Sequence, residues 1–181
     1  MSLLTGDLDC DCELLLMEIK KMKLHTATNR KTLNPTGKAP ISDVYGLTKW
    51  KNYSNKTSRI ESDRFPGYYN TKLKTNYPVF QEFLDEFSYF YLPESFKWSS
   101  VTINKNFKCK PHKDGSNIGL SYIVGLGDYK GGNVIVEQED GSVKFLDIRH
   151  KPCGFNGSEL THYTSDFRGD RYSVVFYNNL N

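Results

Sequence analysis

The chain has 181 residues, 38% hydrophobic and 25% charged, with a net charge of +3. That length suits one domain with a core of its own, and the composition excludes a disordered or fibrous chain. No apolar run approaches the roughly 18 residues that a membrane-spanning helix requires, so no membrane association is expected.

The first segment, Met1 to Cys12, is acidic and lacks the basic start of a secretory signal, so the expected location is inside a cell, cytoplasmic or nuclear. The four cysteines, Cys10, Cys12, Cys109 and Cys153, do not have zinc or thioredoxin spacing. They read as free thiols of a reducing compartment. A helix is predicted from Leu8 to Leu24, with Leu14, Leu15, Met17, Ile19, Met22 and Leu24 as its apolar residues. Thr26 to Pro40 is polar, carries the turn sequence Asn34-Pro35-Thr36-Gly37, and reads as a mobile loop. Residues 60–75 read as irregular and basic, punctuated by Pro66-Gly67.

Tyr77 to Tyr91 is the clearest helix, with Phe80, Phe83, Leu84, Phe87 and Phe90 on one stripe and Pro93 as its stop. After Trp98 the pattern changes to period two. Strands are predicted at Ser100–Phe107, Leu120–Leu126, Asn133–Glu137, Val143–Ile148 and Tyr172–Tyr177, separated by glycine-containing turns. Short strands with tight turns indicate a β-barrel or sandwich, jelly rolls included. The aromatic helix needs that sheet to cover its stripe. The chain is therefore expected to be a single monomeric domain over 1–181, with a helical, basic part (1–97) and a β-core (98–181).

Charge is unevenly spread. From Lys20 to Lys74 there are 13 Lys and Arg against three acids, Asp43, Glu61 and Asp63, while the rest of the chain is net negative. Such a block concentrates polyanions, although a solvated surface gives the same count.

The sharpest local feature is His112-Lys113-Asp114. On an extended segment, His112 and Asp114 point to the same side, and a bend at Gly115 lets both reach one ion. His162 supplies a third ligand ahead of the last strand. Two His and one carboxylate on one face of a metal leave positions open, as in non-haem iron oxygenases. Arg171-Tyr172-Ser173 opens the last strand, and alternation puts Arg171 and Ser173 on one face. A guanidinium beside a hydroxyl suits the far carboxylate of a dicarboxylic co-substrate. The bland alternative pairs Arg171 with Asp166 or Asp170 at the surface. Arg168 is the next candidate for the carboxylate.

As a set, His112-x-Asp114, His162 and Arg171-x-Ser173 resemble the double-stranded β-helix dioxygenases that depend on iron and 2-oxoglutarate. The resemblance covers Trp98 to Asn178. It implies an α+β, mainly β fold: a jelly-roll or cupin-like core with N-terminal helices packed on it. It also implies Fe(II), 2-oxoglutarate and O2 as reactants, with His112, Asp114 and His162 as catalytic metal ligands. A finer resemblance is carried by Phe96 to Phe107, Asn117-x-Gly119 and Ile123 to Gly132. These are similar to the branch containing the base J-binding protein and the ten-eleven translocation enzymes, though the cysteine-rich zinc region of the larger members is missing. That branch oxidises the methyl group of thymine or 5-methylcytosine in nucleic acid. By analogy with nucleic-acid demethylases, Asn104 would contact the near carboxylate of the co-substrate, with Asn106 as the alternative.

Three functions follow as expectations. The first is a nucleic-acid base oxygenase acting on DNA, with Lys105, Lys108, Lys110 and Lys113 on the substrate and Tyr45, Trp50, Tyr53, Tyr68 and Tyr69 available to stack on bases. The second is a protein hydroxylase of the prolyl type acting on a peptide. The third is a nucleic-acid-binding β-barrel module without catalysis.

Overall fold

The computed structural model describes residues 2–49 and 60–180. The first element, α1 (Leu8–Lys21), starts where the Asp7 side chain accepts from the Cys10 amide, which satisfies one of the open donors of a helix start. A short 3-10 helix (Thr28–Leu33) follows, then β1 (Ile41–Lys49), β2 (Tyr68–Asn70), α2 (Lys72–Asn76) and α3 (Phe80–Tyr91). The remaining strands are β3 (Ser100–Lys105), β4 (Ser121–Leu126), β5 (Tyr129–Gly131), β6 (Val134–Glu137), β7 (Val143–Leu146), β8 (Cys153–Phe155), β9 (His162–Thr164), β10 (Phe167–Gly169) and β11 (Tyr172–Tyr177).

Among the described residues the strands form a six-stranded sheet in the order β2-β1-β3-β11-β4-β8, a three-stranded sheet β7-β6-β9 and a β10-β5 pair. All the ladders within these sheets are antiparallel. The architecture is mainly β with helices on one side.

Period two explains the layering. On β3, Val101 and Ile103 face one way, as do Val124 and Leu126 on β4 and Tyr172, Val174 and Phe176 on β11. These residues form one core with Leu15 and Ile19 of α1 and Phe80, Leu84 and Phe87 of α3. The alternate residues, Thr102, Asn104, Ile123, Ser173 and Val175, face a cavity that Val134 of β6 and His162 and Thr164 of β9 close from the other side. Burying the whole apolar side chain of a Leu or Phe contributes about 1.5–3 kcal/mol, so the helix side supplies most of the stability.

Several sequence expectations are corrected. The aromatic helix begins at Phe80, not Tyr77, because Tyr77 precedes Pro78 and sits at φ −131°, ψ 60°, outside the helical region. Thr26 to Pro40 is not a bare loop. It carries the 3-10 helix, and the Lys110 amide donates to the Leu33 carbonyl, tying it to the β-core. Residues 60–75 contain β2 and the start of α2. The boundary at residue 97 is not a boundary of the sheet, since β1 lies beside β3 from Ile41↔Lys105 to Gly46↔Ser100. Strands β5, β8, β9 and β10 have three residues each, too few to show a period. Trp50 and Tyr53 lie outside the described residues. Tyr45 is fully buried against Phe80, so it is core and not a base-stacking platform. No helix among the described residues is long and apolar enough to cross a membrane.

Candidate active site

The segment carrying His112 pairs with the start of β9. The His112 amide donates to the His162 carbonyl (3.1 Å) and the His162 amide to the His112 carbonyl (2.9 Å). This exchange sets the two rings 4.3 Å apart. The Asp114 amide donates to the Gly157 carbonyl at 2.8 Å, which bends the chain so that its carboxylate faces both imidazoles. His112 Nε2 lies 3.5 Å from Asp114 Oδ1, and His162 Nε2 lies 3.4 Å from Oδ2. One ligand atom from each residue falls within 4.8 Å of the others.

The remaining ring nitrogens have partners. His112 Nδ1 donates to the Lys110 carbonyl at 2.8 Å, and His162 Nδ1 donates to the Leu160 carbonyl at 3.0 Å. That assignment leaves the two Nε2 atoms as the ones that face Asp114. Adjacent ligands about 2.1 Å from one ion lie about 3 Å apart in octahedral geometry, so the three donors are close enough to converge on one divalent cation if these separations close. Gly157 provides the room. A Cβ there would come within 2.8 Å of Asp114 Oδ2 and 3.2 Å of His162 Cε1. Burial disfavours charge on both Asp114 and His112. The two imidazoles nevertheless hold the Asp114 carboxyl well below the usual range, and Asp114, Cys109 and the Lys110 carbonyl raise His112 to about 10. The donor set and its electrostatics suit a cation at this point.

Arg171 lies in the same cavity, whose volume is about 360 Å³. It is only 2% exposed. Its Nε and Nη2 donate to the Gly132 carbonyl at 3.2 and 3.0 Å, and the rings of Phe167 and Tyr129 flank the guanidinium at 5.4 and 5.6 Å. The surface-pair alternative fails. Asp166 is bound by Lys108 and Asp170 by Asn106, and among the described residues no carboxylate lies within ion-pair distance of Arg171. Arg171 thus offers its remaining N–H groups to the cavity without a carboxylate partner, while Tyr129, which is not part of the cavity lining, packs its ring on the guanidinium. Gly132 is required here. Its φ is +69°, and a Cβ would sit 2.7 Å from Arg171 Nε.

Ser173 and Asn104 are buried in the same wall, with Asn104 Nδ2 donating to Ser173 Oγ at 3.1 Å. Asn106 leaves the strand at φ +50°, and its Oδ1 accepts from the Arg171 amide at 2.8 Å. Asn104, not Asn106, therefore faces the cavity. Of the four lysines proposed for the substrate, Lys113 lines the cavity, Lys105 lies over the Tyr172 ring, Lys108 pairs with Asp166 and Lys110 is exposed. Sequence reasoning did not single out Tyr129, Gly132, Gly157 or Arg30. The Gly131-Gly132 pair was visible as a turn and as the end of the Ile123 to Gly132 resemblance, and nothing local linked it to an arginine far along the chain.

Neither a family model nor a curated protein matches this sequence. Solved structures do match. A 2OG-Fe(II) oxygenase family oxidoreductase from Burkholderia pseudomallei has 12% identity and a TM-score of 0.57, covering 99% of this chain and 96% of its own. A prolyl-4-hydroxylase from Pseudomonas putida has 12% identity and a TM-score of 0.55, with 98% and 89% covered. NgTET1 in complex with 5mC DNA has 15% identity and a TM-score of 0.55, with 92% and 68% covered. At these identities the likeness defines the fold: this chain has the fold of the 2OG-Fe(II) oxygenases.

Proposed function

We propose that this protein is an Fe(II)- and 2-oxoglutarate-dependent dioxygenase with a double-stranded β-helix core. Its target would be a C–H bond in the methyl group of a pyrimidine base in nucleic acid, 5-methylcytosine or thymine. Residues 1–181 are read as one oxygenase domain. The observation that carries the chemistry is the buried, uncompensated Arg171 facing the same cavity as His112, Asp114 and His162. A buried charge without a partner is costly, and a ligand carboxylate removes that cost.

Fe(II) with 2-oxoglutarate and O2 supplies the oxidising power that no side chain has. In this reading His112, Asp114 and His162 hold the metal through two Nε2 atoms and one carboxylate. The Lys110 and Leu160 carbonyls keep each imidazole in the required tautomer. Arg171 would grip the far carboxylate of 2-oxoglutarate with its free N–H groups, with the Ser173 hydroxyl on the same cavity wall. Asn104 orients Ser173 and offers an amide to the near end. Ile123, Val134, Phe155 and Val175 line the cavity with apolar surface, which keeps bulk water from the reacting atoms.

The nucleic-acid target is supported by the basic N-terminal block, by Lys113 at the cavity and by the fold shared with NgTET1, which was solved with 5mC DNA. The Pseudomonas putida prolyl-4-hydroxylase matches with an equal TM-score, so a proline-containing peptide is the second reading. One assay separates them. Succinate formation is measured with Fe(II) and 2-oxoglutarate across 5-methylcytosine DNA, thymine DNA, RNA and proline peptides, with His112→Ala and Arg171→Ala as controls. Turnover stimulated by methylated or thymine-containing nucleic acid is expected. Stimulation by the peptide alone would move the function to the second reading. Absence of both succinate formation and Fe(II) binding would overturn the oxygenase assignment.

A further inference from the structure

A second arginine enters the cavity from outside the β-core. Arg30, on the 3-10 helix Thr28–Leu33, lines the cavity together with Asn29 and Leu33. Its Nη1 reaches only neutral oxygens, Ser42 Oγ and Asn104 Oδ1, both at 3.4 Å. Among the described residues no carboxylate lies within ion-pair distance of it. The segment is held at both ends. The Ala27 amide donates to the Pro40 carbonyl at 2.9 Å, and the Lys110 amide, beside the metal-binding loop, donates to the Leu33 carbonyl at 2.8 Å. Arg30 is thus presented to the cavity by anchored backbone.

The charges say what Arg30 waits for. The two charges of 2-oxoglutarate are matched by Arg171 and by the net charge of a divalent metal bound to Asp114, so the loaded site is neutral without Arg30. Arg30 is then surplus, and Lys113 adds to the surplus on the same cavity. A target proline itself brings no counter-charge for these cations, whereas in a nucleic acid every target base comes with a phosphate. A planar guanidinium with free N–H groups matches a phosphate through two parallel hydrogen bonds.

Building on the nucleic-acid reading above, we infer that Arg30 binds a backbone phosphate next to the target base and positions that nucleotide over the metal site. Ser42 and Asn104 orient its guanidinium. The grip supplies affinity and register and carries no base preference of its own.

The test uses the full chain loaded with Mn(II) and 2-oxoglutarate and a fluorescein-labelled duplex containing one 5-methylcytosine, with binding followed by anisotropy over a range of salt. Arg30→Gln is expected to weaken binding about tenfold and to flatten the slope of log affinity against log salt by about 0.9, the value for one phosphate contact. Arg30→Lys keeps the charge and loses the fork, so it falls between. A duplex with methylphosphonate linkages flanking the methylcytosine should cost the wild type the same factor and cost Arg30→Gln nothing further. Thermal melts of both variants report that they are folded. A wild-type slope retained in Arg30→Gln, or losses from the variant and the methylphosphonate that simply add, would overturn the inference and leave the nucleic-acid reading standing. If the wild type itself shows no salt-dependent binding, the nucleic-acid reading fails and this inference falls with it.

Discussion

The two faces of the six-stranded sheet use the same strands for opposite ends. On the helix side, Val101, Ile103, Val124, Leu126, Val174 and Phe176 are buried against α1 and α3 in a continuous apolar core. On the cavity side, Thr102, Asn104, Ser173 and the neighbouring Arg171 are equally buried but polar, and among the described residues Arg171 has no carboxylate partner. The first face lowers the free energy of the fold. The second stores unsatisfied bonding capacity, which only a ligand can use. Stability and function should therefore separate cleanly by face, and substitutions can break or sharpen that separation.

The largest effect is expected at the proposed metal triad. Asp114→Ala should lower turnover by at least a thousandfold, about 4 kcal/mol, because two imidazoles alone leave an incomplete ligand set. Its melting temperature should fall modestly at neutral pH, since the carboxylate that raises the half-buried His112 imidazole is gone. A large drop in melting temperature would show that the cavity face also holds the fold. Next is Phe87→Ala on the opposite face. Phe87 is fully buried and stacks on Phe176 with ring centroids 6.0 Å apart. Its loss should cost about 3–5 kcal/mol in denaturant unfolding, with 2-oxoglutarate affinity unchanged in the folded fraction.

Smaller changes probe the Arg171 end of the cavity. Arg171→Met should weaken 2-oxoglutarate binding about 100-fold, close to 2.7 kcal/mol. The ligand-free protein should melt at the same temperature or higher, because a buried unpaired charge has been replaced by an apolar chain. Gly132→Ala should act on Arg171 from a distance. The added Cβ meets Nε and Cδ, and the positive φ disfavours any side chain. About a tenfold loss of 2-oxoglutarate affinity is expected by calorimetry, with iron affinity retained. Equal losses for iron and 2-oxoglutarate would show instead that Gly132 supports the whole cavity.

Much of this was legible in the chain. The stripe of Phe80, Leu84 and Phe87 announced a helix packed on a sheet, and Tyr172–Tyr177 alternates as a strand should. The His112-x-Asp114 pair and Arg171-x-Ser173 needed only the rule that alternate residues share a face. By contrast, β1 was hidden among basic residues, and its nine-residue run from Ile41 to Lys49 has an irregular burial pattern. Arg30 was one cation among 13 in its block, with nothing local to distinguish it from a solvated one.

The sequence by itself marked His112, Asp114 and His162 as candidate metal donors and Arg171 as a candidate carboxylate-binding residue, because donor chemistry and strand period are local properties. Only the tertiary structure decided that His112 and His162 exchange backbone hydrogen bonds, that Gly132 and Gly157 clear the space around Arg171 and Asp114, and that Arg30 reaches the same cavity. These are contacts between residues far apart in the chain. They follow from how the sheets close, which no local pattern records.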